Sequence, residues 1–333
     1  MKPASPLEIL RRSRQQALDF AGKAGADRMR HILMKAQREL EQRLRQAEGL
    51  TGPGTGSFTA TQLRATLAQV RDVLRATALP AMHADIVDVG KMAAERAAQS
   101  TIEYVRASDL AFKGMTRPLA IDQAALFERS IAGTEASILR RIGSDPKDPR
   151  QPGVLQRYGM NTVGAFEDVL QTRLLAQTPW ADVRNQLIAE SPFLQDKPLY
   201  WAERIARTEV MGASNRASSE SITLLGDQVD DMVKVNSATF DSRTSADSYA
   251  VHGQIRRPNE AFDSWFGSFM HPPDRPNDRS VVVPHRLAWP FPASLKPKGD
   301  GEIASRWHAE GRKGSPPARP RLSTVPLDKL KTG

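Results

Sequence analysis

At 333 residues, 40% apolar and 26% charged, with a net charge of +9, the chain is long enough for two structural units and has the balance of a globular protein. The positive charge fits an anionic partner or a solvated basic face. The absence of cysteine excludes disulfides, thiolate catalysis and cysteine-ligated zinc.

Residues 5–49 read as helix, with Gly22–Gly25 as the place for a break. Met29, Ile32, Leu33, Ala36, Leu40 and Leu44 recur at three- and four-residue steps, which makes one apolar stripe, and Gly49 is the expected C-cap. The linker 51–57 is too rich in Gly and Pro for regular structure. A second helix starts near Thr59 or Thr61 and carries Leu63, Leu67, Val70 and Leu74. Pro80 is expected to end or kink it, with helix resuming over 81–112. Asp122 is placed as N-cap of a further helix with Ile131, Ile138 and Ile142 inward and Gly143 closing it. The proline-rich stretch 144–153 reads as a hinge.

Helices are expected over 154–176 and 179–191, the second opened by Thr178-Pro179, and a last long helix over 198–225 ends at Gly226. The pattern then changes. Met232–Asn236 and Val281–Val283 read as strands, with turns and a short helix between them. Residues 296–333 read as a basic tail, ordered only against a partner. The expected fold class is mainly α. Long N-terminal helices (1–143) precede a helical bundle (154–226), a small α+β module (227–290) and a basic, largely irregular tail (291–333).

Few residues announce chemistry. At 100° per residue Arg204, Arg207, Thr208, Met211 and Asn215 share one side of their helix, a polar comb. Trp201, Ile205 and Gly212 make the neighbouring packing stripe. The comb can pair with phosphates, but bonds from Arg204 and Arg207 to the following module, for instance to Asp241, are the favoured reading. Asp241-Ser-Arg-Thr244 looks like a turn that starts a helix, with Asp241 or Thr244 capping and Arg243 reaching back to Glu209 or outward. His252-Gly253 would end that helix.

No Gly-rich phosphate loop or serine elbow is present, so no catalytic residue, metal or cofactor is assigned. His252, His271 and His285 with nearby aspartates are the one constellation from which a metal-dependent site can be assembled, at spacings unlike any zinc signature. Arg306, Arg312, Lys313, Arg319 and Arg321 make the tail a candidate for phosphate contacts without sequence preference. No secretory signal and no apolar run of membrane-spanning length is seen, so the expectation is a cytoplasmic start and no membrane partner.

Taken together, Arg204-Ile-Ala-Arg207-Thr208-Glu209 with Asn215, Asp241-x-Arg243-Thr244, His252-Gly253, and Pro272-Pro273 followed by Pro276-Asn277 and Arg279 resemble, in order and spacing, the C-terminal module of the phage Mu-like head morphogenesis family. The resemblance spans 155–290 and is densest over 200–290. It implies a minor head protein, present in several copies near the portal vertex. The implied partners are the portal or major capsid protein and, through the basic tail, double-stranded DNA, within the virion after assembly in the host cytoplasm. It implies no catalytic residue.

Many members carry a cysteine array that looks like a structural zinc site. Here those places hold Ser245, Ser248, Asp278 and Ser280, and a histidine position holds Arg275. Ionic links among Arg243, Asp278 and Arg279 are the expected replacement. Two other readings stay open: a metal-dependent hydrolase or transferase-type module attached to a head protein, and an assembly chaperone that leaves before maturation.

Overall fold

A computed structural model describes residues 6–51, 56–112, 123–143, 153–190, 193–194 and 196–325. In chain order the helices are α1 (Pro6–Thr51), α2 (Ala60–Val73), α3 (Leu79–Phe112), α4 (Gln123–Ile142), α5 (Val154–Leu175), α6 (Trp180–Glu190) and α7 (Asp196–Gly226). Strand β1 (Met232–Ser237), helix α8 (Ala246–Val251), strands β2 (Ile255–Arg256), β3 (Phe262–Ser264), β4 (Gly267–Phe269) and β5 (Val281–Arg286), and helix α9 (Asp300–Ala309) follow. The protein is mainly helical with a small C-terminal sheet-and-helix module. Among the described residues no helix is long and apolar enough to cross a membrane.

The chain divides into a helical unit (Lys23–Val89, Ser137–Arg207) and a mixed unit (Met1–Gly22, Gly90–Ala136, Thr208–Gly333), and α1, α3, α4 and α7 contribute to both. In the helical unit the predicted α1 stripe is the buried one: Met29, Leu33, Ala36 and Leu40 are fully covered. Gly25 does not break α1. A Cβ there would sit 3.6 Å from the Ala206 Cβ, so the glycine marks a close helix approach. Helix α1 also runs through Gly49 to Thr51.

Thr59 caps α2, its hydroxyl accepting from the Gln62 N–H while the Gln62 side chain accepts from the Thr59 N–H. Pro80 neither ends nor breaks the helix. A π-turn over Leu74–Ala78 precedes it, with the Leu79 N–H bonded to the Leu74 carbonyl, and this widened turn takes up the misfit of a ring that cannot donate. Helix α6 begins one residue later than expected, the Pro179 carbonyl accepting from Asp182 and Val183. Phe58 stacks on Trp180 at 5.4 Å, and backbone bonds Phe58 N–H to Thr178 and Trp180 N–H to Gly56 hold them together.

Gly143 closes α4 at φ +100°, and Ile138 and Ile142 are buried as expected. Asp122, the Ile131 side chain and most of the 144–153 hinge lie outside the described residues.

The mixed unit is built around the second half of α7. Residues 208–219 are almost wholly buried, which explains their small side chains. Ala217 packs with Ala94 and Ala97 of α3, letting the two backbones approach. The buried hydroxyls are satisfied by their own helix: Ser218 donates to Ser214, Ser221 to Ala217 and Thr223 to Ser219.

Beside α7 lies a three-stranded antiparallel sheet in the order β2-β1-β5, with Lys234 opposite Arg256 and Val235 opposite Val283. Its core gathers Tyr104 and Val105 of α3, Ile222 and Leu225 of α7, the strand valines, Trp289, Leu295 and Val325. Strands β3 and β4 form a separate hairpin.

The backbone after residue 290 is largely irregular, but it is packed. Helix α9 lies within it, Ile303 and Val325 are buried, and Ser323 forms a parallel bridge with Ile255. The expectation that residues from 296 on order only against a partner is corrected for the described part. Low apolar content is offset there by backbone hydrogen bonds to the chain's own sheet.

Candidate functional site

The motif residues of the mixed unit act mainly on backbone. Asn215 of α7 is fully buried. Its Nδ2 donates to the Ser280 carbonyl at 2.9 Å and its Oδ1 accepts the Val282 N–H at 3.0 Å. One carboxamide thus does what a neighbouring strand would do for β5. Two residues on, Pro284 has no N–H to offer at the same edge. The sheet edge is closed by an amide and a proline. Thr208 and Met211 are buried as well, so these members of the comb face the interior, and the motif residue Glu209 is buried beside them. In the helical unit Arg204 lies over the Tyr200 ring at 5.5 Å and Arg207 stands 4.0 Å from Glu203.

Asp241-Ser-Arg-Thr244 is a side-chain-stapled turn. Asp241 Oδ1 accepts the Arg243 N–H at 2.8 Å, and Thr244 Oγ1 accepts the Asp241 N–H at 2.9 Å while donating to the Thr239 carbonyl. Arg279 closes it from the far loop with two parallel bonds to Asp241, 2.6 and 2.7 Å. These bonds, with that from the Arg243 backbone, hold the Asp241 carboxyl far below the carboxylate range, and the Arg279 pKa is raised in return. The guanidinium that answers Asp241 is therefore that of Arg279. Ser245, not Asp241 or Thr244, caps α8. Arg243 turns outward, 74% exposed, with only a 3.4 Å approach to Asp241.

His252 ends α8, and its Nδ1 accepts the Ala238 N–H at 3.1 Å. Gly253 follows at φ +77°, and its N–H donates to Asn236. A Cβ at Gly253 would lie 2.6 Å from the Leu295 carbonyl oxygen and 2.8 Å from the Pro297 nitrogen, so only glycine fits. The Pro272-Pro273 peptide is cis.

Beyond it Arg275 enters a cavity of about 140 Å³ lined by Ser245, Ser248, Asp278 and Ser280, the four positions singled out above. Arg275 donates twice to Asp274 (2.8 and 2.9 Å), to Ser248 (2.9 Å) and to Ser245. Asp278 accepts from the Ser280 N–H (3.0 Å) and hydroxyl (2.7 Å). The expected ionic set is thus corrected: Arg275 is the central cation, Arg279 serves Asp241, and Asp278 serves backbone and serine. Burial, and next the charge of Asp278, push the Asp274 carboxyl up to about 6.

The three histidines do not form one site. His271 Nδ1–H donates to the Pro272 carbonyl at 3.1 Å, while His285 lies edge-on to Trp289 and Phe291. His285 is buried, neither ring nitrogen has a hydrogen-bond partner among the described residues, and burial lowers its pKa to about 4. Among the described residues no three His, Asp or Glu side chains converge as metal ligands.

The tail cations have acceptors within the module. Arg306 donates to the Ser242 carbonyl at 2.7 Å, Arg312 meets Asp247 at 3.3 Å and Glu310 at 3.0 Å, and Arg319 donates to the Lys298 carbonyl at 2.6 Å. Lys313 and Arg321 are exposed. The residue pattern missed two buried cations. Lys234 donates to the Met270 carbonyl at 2.8 Å, and Arg256, opposite it, is wrapped by carbonyls. It also missed Asp109, which accepts from Arg286 at 2.9 Å and from the Trp289 indole at 3.2 Å. A lysine alternating with valines was the one available signal.

Comparison with models of known protein families, with curated proteins and with solved structures finds no match.

Proposed function

We propose that the chain is a minor head protein of a tailed phage or prophage, acting in head assembly and in DNA packaging or retention at the portal or inner capsid wall. The observation that carries this reading is the use of the motif. Asn215, Asp241, Thr244, His252, Gly253 and Arg279, spread along the chain, all serve to hold one small cap together. In the same cap Ser245, Ser248, Asp278 and Ser280 share one cavity around Arg275. A motif consumed by architecture suits an adaptor, in which the cap keeps its shape and catalyses nothing.

Contacts with DNA in such a protein are phosphate contacts from exposed basic side chains such as Arg243, Lys313 and Arg321. Affinity for duplex DNA should fall steeply with salt and be indifferent to sequence. Co-expression with the portal protein of the same genome should yield a complex that survives gel filtration. Failure of both experiments, no portal complex and no binding at low salt, removes this reading.

A further inference from the structure

Residues 315–325 lie in a groove of the mixed unit as a ligand lies on a receptor. Ile255 donates its N–H to the Leu322 carbonyl at 2.8 Å and accepts the Thr324 N–H at 3.4 Å, a single parallel bridge to Ser323 at the outer edge of β2. The fully buried Arg256 donates to the carbonyls of Arg321 (2.6 Å) and Leu322 (3.1 Å), while Ala261, Ile255 and Asp263 hold the rest of its fork. Trp265, edge-on to Trp307, donates its indole N–H to the Ala318 carbonyl at 3.0 Å. Thr324 donates to Glu260, and Val325 enters the core. The groove thus recognises mainly main-chain carbonyls, which any extended segment of suitable shape can present.

The connection to this segment is short and exposed. Arg312 is tied to Asp247, Glu310 and the Trp307 ring, so the chain is anchored up to that point. The segment is anchored again at Ala318. Between them Lys313, Gly314 and Ser315 are exposed, and Gly314 stands at φ +74° in open space. The stiff pair Pro316-Pro317 follows. A short exposed turn between two anchored parts is where a change to an extended conformation would carry the segment away from its own groove without disturbing either part.

We propose that residues 315–325 are an exchangeable arm, and that the groove formed by β2, Arg256 and Trp265 takes the same segment from a second copy of this chain. Each groove contact is then remade across the interface, and only the turn changes conformation. This proposal does not rest on the virion reading, because the purified protein alone tests it.

The chain has no cysteine of its own, so Glu260→Cys with Thr324→Cys in one full-length chain puts one thiol on the groove and one on the arm, to be joined by a short bis-maleimide. Isotopically heavy and light preparations are refolded together, cross-linked and digested. Arm exchange predicts linked peptides that pair heavy with light in statistical proportion, and a covalent dimer on a denaturing gel. Links confined to one isotope overturn the proposal. Light scattering of the unmodified chain gives a second reading that does not depend on the substitutions: dimers are expected, and a monomer at every concentration overturns it.

Discussion

Asn215→Ala removes the amide that stands in for a strand. Two buried hydrogen bonds disappear, 2.9 Å to the Ser280 carbonyl and 3.0 Å from the Val282 N–H. Removing one partner leaves each buried backbone group unsatisfied at a cost of about 1–3 kcal/mol, so the two groups together predict a loss of about 2–6 kcal/mol. That is a large share of the roughly 5–15 kcal/mol that holds a domain together.

Asn215→Asp separates the hydrogen-bonding geometry from simple loss of volume. It keeps an acceptor for Val282 but turns a carboxylate oxygen toward the Ser280 carbonyl, in a site with no solvent. It should cost at least as much as alanine. Urea denaturation followed by tryptophan fluorescence reports the unit once Trp180 and Trp201 of the helical unit are replaced by Phe in parent and variants alike, since Trp289 lies in the same core as β5. An alanine variant within about 1 kcal/mol of the parent, or an aspartate variant of parental stability, would refute the account of Asn215 as the β5 clamp.

Lys234 is fully buried opposite Arg256, and burial followed by that repulsion lowers its pKa from 10.5 to about 8. Between pH 8 and 10.5 the unfolded chain holds a proton that the folded chain has released, so stability should rise with pH, by up to about 3 kcal/mol. The window is best read below pH 10, because burial raises the pKa of Tyr104 and Tyr158, and their later ionisation on unfolding opposes the trend. Lys234→Met should flatten the rise, and an unchanged slope in denaturation midpoints across this range would count against it. His285, lowered from 6.5 to about 4 by burial, works on the acid side. The unfolded chain takes up its proton first, so this contribution is lost as pH falls from 6.5 toward 4. Asp274, raised to about 6, favours folding over part of the same range, so the test is a difference. His285→Phe should gain stability relative to the parent as pH drops from 6.5 to 4, and parallel pH profiles would exclude the assignment.

Several elements were legible in the residues alone. The α1 stripe, the Thr59 start of α2, the close of α4 at Gly143, strands β1 and β5, and the stop at His252-Gly253 follow from local rules: periodicity, capping hydroxyls, alternation and a left-handed glycine. These signals lie within a few neighbouring residues, so no knowledge of the rest of the fold is needed to read them.

Tertiary structure decided what local chemistry leaves open. Gly25 faces Ala206, and Pro80 follows a π-turn, so neither breaks a helix. Which arginine answers Asp241 depended on bringing the 271–280 loop against the 239–244 turn, and Arg279 is the one placed there. The described part of the tail is ordered because Arg256 and Ile255 offer donors to its carbonyls, a complementarity that tail composition cannot express. Periodicity and caps depend on residues adjacent along the chain, whereas pairing a cation with an acceptor dozens of positions away is settled only when packing removes the water that would otherwise serve both.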